Sequence, residues 1–92
     1  MIRSIRHKGL KRLHDEDDAR GVLREHAEKL RDILARLESA GDIADLDLPG
    51  FRLHPLKSDR KGSWAITVRA NWRVTFRMDD RDVTEVDYID YH

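Results

Sequence analysis

The sequence predicts an α+β fold, an antiparallel sheet with helices packed on one face, and three observations carry that prediction. Between residues 51 and 78 apolar and polar side chains alternate: Trp64, Ile66 and Val68 share a parity, as do Trp72, Val74, Phe76 and Met78, while Thr67, Arg73, Thr75 and Arg77 take the other. A period of two belongs to strands with one buried face. Upstream, Val22, Leu23, His26, Ala27, Leu30, Ile33, Leu34 and Leu37 recur at spacings of three and four, the pattern of an amphipathic helix whose stripe packs on the sheet. The third observation is loop length. Facing every apolar set toward one core requires odd loops, and Arg69-Ala70-Asn71 and Asp79-Asp80-Arg81 are each three residues long.

Taken in order, Ile2 to Arg6 reads as a short first strand. Leu10 and Leu13 with Lys8, Lys11 and Arg12 make a helical turn or two carrying a basic side. The run Asp15-Glu16-Asp17-Asp18 then breaks the pattern; adjacent carboxylates point different ways and no EF-hand spacing follows, so it reads as a solvated loop. Asp17 or Asp18 caps the long helix, and Gly41 stops it after Ala40. His26, on the edge of the stripe, is a packing residue. Asp42 to Leu46 forms one more short turn before Pro49-Gly50 ends the helical half. The first hairpin pairs Val68 with Trp72 and leaves Asn71 last in its loop, where a left-handed backbone suits Asn. The second keeps Thr84, Val86 and Tyr88 on the parity of Phe76, completing a three-stranded meander, with Glu85 and Asp87 across from arginines.

At 92 residues the chain reads as a single domain, 1–92, too small for a ligand-sized internal cavity. Charged and apolar residues each make up 39%, so it is very polar yet has enough apolar residues for a core. It has no cysteine, which excludes zinc ribbons and disulfide frameworks and suits the cytoplasm. The start, MIRSIRHKGL, lacks the apolar run of a signal peptide, and no stretch is long enough to span a membrane, so a soluble, unprocessed protein is expected.

The net charge of zero hides a block pattern. Residues 1–13 hold five basic groups and no acidic one, 14–48 five basic against eleven acidic, 51–78 seven basic against Asp59 alone, and 79–92 one basic against six acidic. Blocks of this kind either neutralise one another across a fold or form opposed faces, and the third suits a polyanion.

His54 and Lys57 lie three apart around Pro55, which holds its neighbour extended. With Arg69, Arg73 and His92 they are expected to converge at one end of the sheet. No cysteine, G-x-S-x-G elbow, phosphate-cradling glycine loop or H-E-x-x-H motif is present. An Arg/Lys/His/Tyr set remains, suited to a substrate that brings its own nucleophile. RNA does: its 2′-hydroxyl attacks the adjacent phosphodiester when a base takes the proton, cations steady the phosphorane and an acid protonates the departing 5′ oxygen, with no metal or cofactor required. Each residue also has a structural reading. His54 serves as a hydrogen-bonding sheet residue, Lys57, Arg60 and Lys61 as a solvated turn, Arg73 and Arg77 as partners of Asp87 and Glu85, and Tyr91 as a cap on the core.

The string HPLKSDRKGSWAITVRANWRVTF, the terminal DYH and the opening IRSIRHKGLKRL together resemble HigB-type toxins of the RelE superfamily, ribosome-dependent mRNA endonucleases of bacterial toxin–antitoxin pairs. The resemblance covers most of the chain; HPLK, NWR and DYH fall in the family's order and spacing, whereas residues 14–48 add little signature. It implies a compact RelE-like fold and a catalytic set of His54, Lys57, Arg73, Asp90, Tyr91 and His92, with Arg69, Asn71, Arg60, Lys61 and Lys8 as RNA-binding or structural neighbours. It also implies cleavage of mRNA in the ribosomal A site and neutralisation by a HigA-like helix-turn-helix antitoxin. Ser58 stands where a glycine is usual after HPLK, Asp80-Arg81 replaces a glycine-containing turn and Ile89 replaces a common acidic residue. In this reading His92 or Lys57 assists as base, Arg73 with Lys57 stabilises the phosphorane and Tyr91 stacks on a base; the division of base and acid among His54, Lys57 and His92 stays open. His92 sits beside the chain's α-carboxylate and near Asp90, an environment that favours the protonated ring. The competing classes are a ParE-like gyrase binder that cuts nothing and a plain RNA-binding module.

Overall fold

Four strands lie side by side in chain order: β1 (His54–Pro55), β2 (Ser63–Arg69), β3 (Trp72–Asp79) and β4 (Asp82–Asp90), each antiparallel to its neighbour. This is the expected meander with a two-residue strand added beyond β2. The computed structural model describes residues 1–57 and 62–91. Trp64 stands opposite Phe76 and Ile66 opposite Val74, so the apolar parities meet on one face.

Both hairpins turn through two residues rather than the expected three. Arg69 pairs with Trp72 across Ala70-Asn71, and Asp79 with Asp82 across Asp80-Arg81. The odd residue that parity demands lies inside the strands. Val68 is the extra residue of β2, and Glu85 with Val86 stands opposite Phe76 alone. The left-handed residues are accordingly Ala70 (φ 51°), Asp80 (φ 57°) and Glu85 (φ 53°), not Asn71. A left-handed first residue gives a two-residue turn the twist of its flanking strands. The bulge at Glu85 also corrects the expected place of Thr84. Val83, opposite Met78, takes the core position, and Thr84 stands opposite Arg77 on the other face.

The N-terminal segment covers the outer edge of β4, though as isolated parallel bridges from Ile2 to Val83 and Ile5 to Val86 rather than as a full strand. Between the bridges the Glu85 N–H, turned away by the bulge, donates to Ser4 Oγ at 2.8 Å. Edge and bulge are thereby satisfied together.

Helix α1 (Lys8–Glu16) runs through the first two residues of the acidic run and stops at Asp17, whose φ of 54° makes it the C-cap. His7 Nδ1 caps its start, accepting from the Leu10 N–H at 3.0 Å. Contrary to the expectation from sequence, neither Asp17 nor Asp18 caps the long helix, whose N-cap is His26. Asp18 instead caps a 3₁₀ turn at Ala19–Gly21, a second such turn spans Arg24–His26, and α2 occupies Ala27–Ser39. The intervening turns exist because α1 and the first 3₁₀ turn meet backbone to backbone. A Cβ at Gly9 would collide with the Gly21 carbonyl, and one at Gly21 would fall 2.5 Å from Gly9 Cα. α2 ends at Ser39 before Gly41, which lacks the left-handed backbone of a glycine stop. The short turn after it is present as a 3₁₀ turn, Ile43–Leu46, capped by Asp42.

Leu10 and Leu13 of α1 and Leu30, Ile33, Leu34 and Leu37 of α2 pack with Ile66, Val74, Phe76, Val83, Val86 and Tyr88 as one core. Each such side chain contributes about 1.5–3 kcal/mol on burial. Both helices therefore lie on one face of the sheet, as expected. One polar node sits inside: buried His26 accepts or donates through Nδ1 at 2.6 Å from the Tyr88 hydroxyl, and Trp72 and His7 pack edge-on against these rings. Burial raises the Tyr88 phenol above its ordinary pKa of 10.0, while a backbone hydrogen bond from Leu23 works the other way. In either direction, His26 Nδ1 has the Tyr88 hydroxyl as its partner.

Tyr88→Phe leaves that nitrogen buried without a partner and is expected to destabilise the protein by about 1–3 kcal/mol in urea unfolding; no change would show the node to be dispensable. Hydrogen bonds from the Arg20 side chain hold the Asp18 carboxyl down from 3.8 to about 2. A lowered folded-state pKa means that the stabilisation is complete above 3.8 and disappears as pH falls through about 2. Asp18→Asn should therefore be less stable than the parent at neutral pH and equal to it below pH 2, and a gap that survived in acid would contradict this origin.

Candidate active site

Away from the helices, register builds a row across all four strands. His54 pairs with Ala65, Ala65 with Thr75 and Thr75 with Asp87, and directly opposite residues share a face. One two-residue repeat further along β3, roughly 6.5 Å, Arg73 stands between Thr67 and Ile89 on that same face. Alternation alone implies a wet face, but the face is dry at its middle. Ala65 is 1% and Thr75 2% exposed, so polar side chains surround a dry centre.

His54 is half-buried, and its Nδ1 lies 2.8 Å from the Arg52 carbonyl oxygen. A carbonyl only accepts, so Nδ1 carries the hydrogen and Nε2 is the nitrogen with a free lone pair in the neutral ring. Arg52 has a left-handed backbone at φ 49°, a conformation disfavoured outside glycine and concentrated at functional sites. Arg73 Nη1 donates to the carbonyls of Ala70 and Trp72, the latter at 3.1 Å. These contacts position the guanidinium without cancelling its charge. The alternative pairing with Asp87 is not adopted, because register sets Asp87 opposite Thr75; the companion pair does form, Arg77 Nε lying 3.7 Å from Glu85 Oε2.

Not every expected residue joins this face. Arg69 pairs with Trp72, whose ring packs on His26 on the helix side, and it lines a cavity there of about 430 Å³ with Leu23, Glu25 and Ala70. The extra residue at Val68 is the cause: it separates Arg69 from the parity of Thr67. Asp90 also stands opposite Trp72, on the helix side. Tyr91, 45% exposed, donates its N–H to the Asn71 carbonyl at 2.7 Å, and alternation returns it to the side of Arg73. Asn71 is exposed at the hairpin tip, Lys57 is exposed just beyond β1, and Lys8 is exposed in the first turn of α1. Arg60, Lys61 and His92 lie outside the described residues. Thr75 and Asp87 enter the sequence reading only as strand residues and not as site candidates, although their shared face with Arg73 follows from the alternation once the register is known.

Proton–nitrogen NMR of the neutral protein should find the His54 ring hydrogen on Nδ1 and an unprotonated Nε2; the reverse tautomer would remove the base argued from Arg52.

A family model for the RelE-like toxin of type II toxin-antitoxin system HigB matches residues 3–92. Over all 92 residues, with both proteins fully covered, the chain is 44% identical to endoribonuclease HigB of Proteus vulgaris. Two crystal structures of YafQ from E. coli, one of them a mutant, align with TM-scores of 0.62 and 0.55. Each covers 95% of this chain and 87% of that chain at 19% identity, a likeness of fold alone. With the family match spanning nearly the whole length, this chain belongs to the HigB family of RelE-like toxins of type II toxin–antitoxin systems.

Proposed function

We propose that this toxin is an endoribonuclease that cuts mRNA in the ribosomal A site by attack of the substrate's own 2′-hydroxyl. The observation that carries the reading is the open sheet face on which His54, with Nε2 free as a base, and Arg73, held by main-chain carbonyls, stand two strands and one repeat apart. The 44% identity to a named endoribonuclease supports the same chemistry. His54 Nε2 takes the 2′-hydroxyl proton as the 2′-oxygen bonds to phosphorus. Arg73 and Lys57 meet the charge on the equatorial oxygens of the phosphorane. The bond to the 5′ oxygen breaks, that oxygen receives a proton from His92, and a 2′,3′-cyclic phosphate and a 5′-hydroxyl result. Tyr91 stacks on a base, Asn71 contacts the substrate, and Asp90 orients the C-terminal residues. These side chains complete the step without a metal.

So sparse and open a set does little to align free RNA, so the ribosome supplies the positioning. Arg60, Lys61, Lys8 and Arg69 add charge for rRNA. Among the described residues no helix is long and apolar enough to cross a membrane; the reading places the protein in the cytoplasm, restrained by a HigA-like antitoxin.

The test is a translating extract with mRNA ends mapped by primer extension. Wild-type protein should cut within codons and leave naked RNA intact. Arg73→Ala should slow cutting about 10²–10³-fold, and His54→Ala or His92→Ala about 10²–10⁴-fold, with antitoxin binding retained. Equal cutting of naked RNA would overturn ribosome dependence. Growth arrest with mRNA intact would overturn the endonuclease reading in favour of a gyrase-type binder.

A further inference from the structure

Regular pairing of the edge strand β1 would consume the carbonyl that His54 uses. His54 stands opposite Ala65, and the Leu56 N–H donates to the Ser63 carbonyl at 2.9 Å. Hydrogen-bonded pairs recur at every second residue of an antiparallel ladder, so this register, carried on from Leu56 and Ser63 through His54 and Ala65, sets Arg52 opposite Thr67 with its carbonyl accepting the Thr67 N–H. The Thr67 N–H instead donates to the Phe51 carbonyl at 2.8 Å. The outer chain takes three steps from Phe51 to His54 while β2 takes two from Thr67 to Ala65, so the edge carries one extra residue, as β2 and β4 do. Resting on the endonuclease reading above, we propose that Arg52 is a positioning residue for the cleavage step: the extra residue releases its carbonyl from the ladder, and that carbonyl fixes the His54 ring with its hydrogen on Nδ1.

The left-handed backbone of Arg52, at φ 49°, falls where the register breaks. Both flanks hold it there. Upstream, Phe51 is buried, its N–H donates to the Leu48 carbonyl at 3.0 Å, and Lys29 of α2 donates from Nζ to the Gly50 carbonyl at 2.8 Å. Downstream, His54 and Pro55 are paired with β2. A left-handed residue other than glycine persists only where its surroundings over-determine it, and these anchors do so. Phe51 and Leu53 pack on the core, so Arg52 between them faces away from the helices, as His54 does. Its exposed side chain makes no hydrogen bond or ion pair among the described residues, so the main chain alone sets the conformation.

What the released carbonyl decides is a tautomer. A neutral imidazole carries its hydrogen on one nitrogen or the other, and the form with Nε2–H has no lone pair there to take a 2′-hydroxyl proton. An acceptor 2.8 Å from Nδ1 selects the form with Nε2 free and holds the ring in place before RNA arrives. A carboxylate in that position would orient the ring equally well, as in hydrolase triads, but would set a negative charge beside the incoming phosphodiester. A main-chain carbonyl orients without that charge.

Proton–nitrogen NMR of the RNA-free protein, together with single-turnover cutting of mRNA on programmed ribosomes, tests the assignment. Arg52→Val, whose β-branched side chain disfavours a left-handed backbone, should return the carbonyl to the Thr67 N–H and move the His54 ring hydrogen to Nε2 in much of the population. Cutting at saturating toxin should slow about ten-fold, the net worth of one hydrogen bond, while the half-saturating toxin concentration changes by less than about two-fold. Arg52→Gly, which removes the guanidinium and favours the left-handed backbone, should keep the hydrogen on Nδ1 and cut within about two-fold of the wild type. Should Arg52→Val not fold, Arg52→Thr, likewise β-branched, takes its place. A ring hydrogen that stays on Nδ1 in the β-branched variant, or wild-type cutting by a variant that has lost it, overturns the positioning role. So does an Arg52→Gly protein as slow as Arg52→Val with the hydrogen still on Nδ1, the result of a guanidinium that touches RNA. A wild type that cuts no mRNA overturns the endonuclease reading, and the tautomer, read without RNA, decides separately whether the Arg52 carbonyl sets it.

Discussion

One constraint governs this molecule: the alternating apolar sets of three consecutive strands must face the same two helices, yet the chain reverses through two-residue turns. Two-residue turns alone set Val68 and Val86 on the wrong parity. The strands absorb the difference by carrying one extra residue each, Val68 in β2 and Glu85 beside Val86 in β4. A slip of one residue reverses both faces of a strand, so these bulges decide which side chains are core and which are site.

The rest of the helical side adapts to that sheet. Trp72 and Tyr88, whose ring centroids lie 4.6 Å apart, meet His7 at the start of α1 and His26 at the start of α2. His26 and Tyr88 satisfy each other in a place where an unpaired polar atom would be expensive. The close approach of Gly9 and Gly21 brings the connection between helices down against α1. The sheet's outer edge is closed by the N-terminal segment, with Ser4 accepting the amide that the Glu85 bulge leaves over.

The same bulges sort the arginines. Arg73 keeps the outward parity and is held by the main chain of its own turn, whereas Arg69, only four residues earlier, is carried to the helix side. A face thus emerges with His54 and Arg73 flanking a dry strip of Ala65 and Thr75, and with Arg77 and Glu85 at its far end. Backbone hydrogen bonds rather than carboxylates orient the first two, which leaves their charge and lone pair available to a substrate.

Local pattern determined much of this by itself. Alternation is a property of a strand alone, so the faces of β2 and β3, the meander and the need for an odd residue in each hairpin were all legible, as was the core stripe of α2. HPLK, NWR and DYH likewise marked the family, because those residues are chemical and keep their spacing. Where the odd residue goes was decided by tertiary structure: a turn and a bulge satisfy parity equally, and only the twist of the paired strands chooses between them. The fates of Arg69 and Thr84 followed from that choice. So did the row from His54 to Asp87, which joins residues more than thirty positions apart through hydrogen bonds between strands that no spacing in the sequence records. The ends of the helices were decided in the same way, since Asp17 and Asp18 are good caps for more than one helix and the contact between Gly9 and Gly21 selects which.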